Sequence, residues 1–77
     1  MLYSTIAFGI VVSRLRMERQ LSQETLSALA GISRSHLTLL ESGKKVAKLD
    51  TLFQIAQALN VPPHELIRLT EEETARA

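Results

Sequence analysis

Between Ser33 and Lys48 the sequence places Arg34, Ser35, His36, Thr38, Lys44, Lys45 and Lys48. Arginine carries a planar fork that can donate two parallel hydrogen bonds, the geometry that guanine O6 and N7 accept. Three lysines in the run 44–48 bring positive charge to a polyanion and can neutralise phosphates without reading sequence. Ser35 can bond a base or a phosphate. His36 titrates near neutrality and can do either as well. Nothing here forms a catalytic set. His36 and His64 are the only histidines, and neither has a nucleophile or base at a recognisable spacing. His64-Glu65 lacks the second histidine of an H-E-x-x-H zinc site. Cysteine is absent, which excludes a disulfide framework and a thiolate metal site. No glycine-rich loop of the phosphate-cradling kind appears. The residues point to binding, with no catalytic residue, metal or cofactor expected.

The elements that must position these side chains lie in residues 22–42, SQETLSALAGISRSHLTLLES. Two short amphipathic helical patterns flank Gly31-Ile32-Ser33. Ser22 is a good N-cap, with Gln23 and Glu24 in the first turn that follows. Leu26 and Leu29 are expected to face inward. Gly31 stands where a left-handed backbone costs least, and Ser33 caps the next helix, Arg34 to about Ser42. Leu37 and Leu40 form its inner face. Helix, glycine turn and second helix make a helix-turn-helix, which can place one short helix in the major groove of DNA.

The chain has 77 residues, of which 45% are hydrophobic. That length suits one small domain, 1–77, with its core at about 5–70. A core of this size is marginal, so caps, short loops and a partner subunit matter. The net charge of +1 hides an asymmetry. Residues 1–48 hold seven Lys/Arg and three Asp/Glu, a balance of +4; residues 49–77 hold two and five, a balance of −3. The basic half is the one with the helix-turn-helix, as a polyanion-binding face requires. The apolar run Ile6 to Val12 is interrupted by Gly9 and is far too short to span a bilayer. No basic residue precedes it and no small-residue cleavage site follows, so no signal peptide is expected. A cytoplasmic location is expected.

Three further helices complete the pattern, and no strand is expected. The first spans Ser4 or Thr5 to Arg19, with Phe8, Val12 and Leu15 as its buried stripe. Ile10 and Val11 fall off that stripe, either as peripheral core or as a subunit contact. A fourth helix is expected from Leu49 to Leu59, with Leu52, Ile55, Ala56 and Leu59 inward. Asn60 suits a left-handed C-terminal position, and Pro62-Pro63 stops and restarts the chain. The fifth helix covers His64 to about Thr70. The polar tail 71–77 is expected to fray.

At this point the residues resemble the lambda-repressor-like (Xre-type) helix-turn-helix regulators over about residues 5–70. The matching pieces are Leu15-Arg16, Leu21-Ser22-Gln23-Glu24, Leu26, Ala30-Gly31-Ile32-Ser33, Leu37, Glu41-Ser42-Gly43-Lys44, Leu49-Asp50-Thr51-Leu52, Ile55-Ala56 and Ala58-Leu59-Asn60-Val61. Their order and spacing carry the likeness. It implies an all-α, five-helix DNA-binding domain with the helix-turn-helix at helices 2–3. Five positions depart from the common pattern: Ser27 replaces a packing alanine, Asn60 a glycine, Ala47-Lys48 a Pro-Ser pair, and Pro62 a capping serine.

The resemblance also implies roles. Gln23 matches a position that bonds a backbone phosphate, helped by the partial positive charge of its helix N-terminus. Arg34, Ser35 and His36 match the turn that reaches base edges. Thr38 and Leu39 follow on the exposed side. Leu39 either meets a thymine methyl or deoxyribose, or packs at the edge of the core. Lys44, Lys45 and Lys48 flank the duplex, and Arg14 and Arg19 are weaker candidates. Arg16 and Glu41 match a structural salt bridge between the first and third helices, not a DNA contact.

One recognition helix reads about half a turn of duplex, so a homodimer on a palindromic operator is expected. Leu66, Ile67 and Leu69 are the candidate contacts, unless they complete the monomer core. The implied function is a sequence-specific double-stranded DNA-binding regulator, a repressor or autoregulator. The alternative is a protein-interaction module or an antitoxin subunit on the same fold. Restriction–modification controller proteins are similar in length and in using C-terminal helices to dimerise.

Overall fold

Serine begins three of the helices. The computed structural model describes residues 3–76, and its elements are α1 (Thr5–Glu18), α2 (Gln23–Ala30), α3 (Arg34–Glu41), α4 (Leu49–Ala58) and α5 (Pro63–Arg76). The hydroxyls of Ser4, Ser22 and Ser33 accept hydrogen bonds from the backbone N–H groups of Ala7, Thr25 and His36, each at 3.0 Å. Each satisfies an amide that the first turn leaves without a helical partner. Lys48 supplies no such cap to α4, whose first turn instead carries Asp50. Among the described residues there is no strand, and no helix is long and apolar enough to cross a membrane.

The core forms where α1 lies between α3 and α5, with α4 closing against α2 and α5. Phe8, Val11, Val12 and Leu15 of α1 meet Leu26, Leu37, Leu40, Ile55, Leu59 and Leu66 from the other four helices. Full burial of each such side chain contributes about 1.5–3 kcal/mol. Val11 is therefore core, while Ile10 on the neighbouring face is exposed. An α1 packed on two sides needs a wider apolar stripe than a four-and-three spacing marks.

Two expectations are corrected. Leu29 is 61% exposed; the inner face of α2 is Leu26, Ser27 and Ala30, and Leu29 lies on its flank. Ser27 is buried, but its hydroxyl donates to the Glu24 carbonyl at 2.9 Å, so the polar group is satisfied. The second correction is the length of α5, which runs on to Arg76 instead of stopping near Thr70. Glu73 accepts from Arg14 at 2.6 Å, and Thr74 Oγ1 accepts from the Ser4 N–H at 3.2 Å. These bonds fasten the polar turns to α1. Asn60 takes a left-handed φ of 60° after α4.

Candidate nucleic-acid interface

The turn between α2 and α3 sets the angle of everything downstream. Gly31 adopts φ 72°, ψ 27°, a left-handed conformation that an L side chain would strain. The amide of Ile32 then donates back to the Ser27 carbonyl at 3.0 Å, closing the end of α2. Leu37 and Leu40 anchor α3 in the core. Arg34, Ser35, Thr38 and Leu39 are left on its exposed side, with His36 half-buried. Leu39 is 40% exposed, so it is not a core residue.

Past α3 the chain is held by backbone and side-chain bonds. The amide of Lys44 donates to the Leu39 carbonyl at 3.0 Å, and Thr5 Oγ1 donates to the Gly43 carbonyl at 3.0 Å. Lys44, Lys45 and Lys48 are all exposed. The fold brings the ammonium groups of Lys45 and Lys48 within electrostatic reach of His36. Partial burial, and then these two charges, hold the His36 imidazole below its usual range. Its neutral form is thereby favoured at pH 7.

A polar network fixes α2 against α3. Glu41 accepts from Arg16 twice, from Nε to Oε2 at 2.8 Å and from Nη2 to Oε1 at 3.1 Å. Arg16 Nη1 also donates to the Leu21 carbonyl at 2.9 Å. Both side chains are largely buried, so the two charges neutralise one another inside the fold. Gln23 Nε2 donates to Glu41 Oε1 at 2.9 Å, and Gln23 Oε1 accepts from Thr38 Oγ1 at 3.3 Å. The bond between Gln23 and Glu41 was not anticipated. Thr38 and Glu41 lie three apart on α3, a spacing that puts both on one face and is the signal that would have found it.

Other expected sites lie elsewhere. Leu66 has 0% exposure and belongs to the core, so it is corrected as a subunit contact. Its neighbour Ile67 is 49% exposed, and Leu69 is partly buried against the core. Arg14 and Arg19 are engaged within the fold: Arg14 pairs with Glu73, and Arg19 Nε donates to the Leu59 carbonyl at 2.7 Å. The described residues contain no group of three His, Asp or Glu side chains that could hold a metal ion.

This arrangement offers a hydrogen-bonding, partly apolar helix face flanked by cations. The helix-turn-helix family model matches residues 12–66. The chain is 42% identical over 64 residues to the uncharacterized HTH-type transcriptional regulator y4dJ of Sinorhizobium fredii, covering 83% of each. It is 30% identical over 66 residues to the control protein C.BamHI of Bacillus amyloliquefaciens, covering 84% of this chain and 82% of that one. Among solved structures, the restriction–modification controller protein C.AhdI of Aeromonas hydrophila matches with a TM-score of 0.79 and 37% identity, over 80% of this chain and 94% of that one. The protein belongs to the helix-turn-helix family of transcriptional regulators.

Proposed function

We propose that the protein is a sequence-specific regulator that binds double-stranded DNA by setting α3 in the major groove. The observation that carries this is the exposed row Arg34, Ser35, Thr38 and Leu39, projecting from a helix whose other side is locked in the core. Arg34 reads guanine, Leu39 meets a thymine methyl or sugar, and Lys44, Lys45 and Lys48 neutralise flanking phosphates. Gln23, at the start of α2, contacts a phosphate. The role is binding alone, without catalysis.

The functional unit in this proposal is a homodimer on a palindromic operator. Support comes from an apolar groove of about 400 Å³ lined by Tyr3, Leu49, Leu52 and Ile67, on the face of α4 and α5. Exposed Tyr3, Leu49 and Ile67 replace Leu66 as the candidate contacts, while Leu69 packs against the core. The likeness to two restriction–modification control proteins favours a controller of that kind over a phage-type repressor or an antitoxin.

Selection of bound duplexes from a random pool tests the proposal. A recovered motif with two-fold symmetry is expected, and binding should weaken steeply with salt, by roughly one log–log unit per phosphate neutralised. Failure to enrich any sequence, or binding indifferent to salt, would favour a protein-interaction role on the same fold.

A further inference from the structure

A primary amide has two chemically different ends, and nothing in a glutamine alone decides which end faces where. At Gln23 the decision is made by Glu41. A carboxylate only accepts hydrogen bonds, so the atom 2.9 Å from Glu41 Oε1 must be the amide nitrogen. The amide oxygen then faces Thr38, whose hydroxyl can donate. The Glu41 side chain is only 7% exposed and is itself held by two bonds from Arg16. Gln23 is thus fixed from the interior, not by solvent.

We infer that Glu41 is a positioning residue for the DNA face: it holds the Gln23 amide nitrogen-first, and so presets both the donor offered to a phosphate and the register of α2 on α3. The inference rests on the DNA-binding role proposed above. One N–H of Gln23 is occupied by Glu41; among the described residues the other has no protein acceptor. That free N–H is the phosphate donor. Arg16 makes the arrangement tolerable, because an unneutralised carboxylate behind a phosphate-binding amide would repel the ligand. Arg16, Glu41, Gln23 and Thr38 therefore act as one unit, from α1 through α3 to α2.

The test is a double-mutant cycle read with the duplex recovered by selection, together with the side-chain amide signals of Gln23 in an ¹⁵N NMR spectrum. Glu41→Gln should weaken binding by roughly five- to tenfold, and Gln23→Ala by a similar factor. The double variant should bind within about twofold of Gln23→Ala alone, since Glu41 acts through Gln23. In Glu41→Gln the two Gln23 Nε protons should move toward solvent-like shifts while the backbone amides keep their folded dispersion. Glu41→Asp keeps the charge facing Arg16 but withdraws the oxygen from Gln23, and serves if Glu41→Gln does not fold. Unchanged Gln23 signals in the folded variant, or multiplied losses in the double variant, overturn the inference while leaving DNA binding intact. Wild-type protein that binds no duplex overturns the function and the positioning role together.

Discussion

Gly9 of α1 lies directly against the Leu40 carbonyl of α3. A Cβ at Gly9 would stand 2.6 Å from that oxygen and nearer still to the Glu41 carbonyl. The missing side chain lets α1 touch the last turn of α3, where the Arg16–Glu41 pair also sits. Gly9→Ala must push the helices apart, and overpacking of this kind costs about 1–3 kcal/mol. A urea melt should show the midpoint falling by that equivalent; an unshifted midpoint would mean that the two helices are not this close.

Arg34→Ala should relax base choice more than it lowers affinity for an average duplex. A bidentate guanine contact provides about 1–3 kcal/mol of discrimination. Selection with the variant should lose one strongly preferred base pair in each half-site and keep the rest. Equal loss at every position would make Arg34 a phosphate contact.

Lys45→Ala and Lys48→Ala should weaken all duplexes alike. Each removes one proposed phosphate contact, so the salt slope should fall by about one unit per lysine. A changed sequence preference in either variant would contradict the assignment.

His36 predicts a pH dependence of definite sign. Its folded value lies below the usual one, through partial burial and then the charges of Lys45 and Lys48. The stability linked to its neutral form is therefore present above the unfolded value, about 6.5, and is lost as pH falls through the lowered folded value. Phosphates pull the other way and favour the imidazolium. DNA binding should thus take up a proton, and affinity should rise from pH 7.5 to 5.5 by less than about tenfold per unit. His36→Gln should flatten the rise. A profile equally steep in that variant would place the titrating group elsewhere.

Ile67→Arg should give a folded monomer in sedimentation, because the side chain is half exposed and a charge there costs the core little. Its operator affinity should drop while contacts to a single half-site persist. A variant that still sediments as a dimer would move the subunit contact off α5.

The helix-turn-helix was legible because its devices are local. Serine caps, a left-handed glycine and a leucine stripe each act within a few residues, and Ser22, Gly31 and Ser33 announce them in order. What the sequence left open depends on distant partners. Val11 becomes core only because α1 is covered on two sides. The last turns of α5 look solvated until Arg14 and Ser4, some 59 and 70 positions away, take hold of Glu73 and Thr74. Gly9 reads as an interruption in an apolar run, and only the crossing helix reveals its use. At the candidate site the types of Arg34 and the lysines spoke for themselves, whereas the tie from Gln23 to Glu41 required two helices to be brought together.

Those ties make α1 a common beam: Arg16 joins it to α3 at one end, while Ser4 and Arg14 join it to α5. The surface proposed to pair two copies and the surface proposed to enter the groove are therefore both tied to one girder. For a pair of copies on DNA, the gap between the two half-sites becomes a fixed gauge. A single added base pair turns one half-site by about a tenth of a revolution, and subunits tied together in this way should lose affinity for such a duplex.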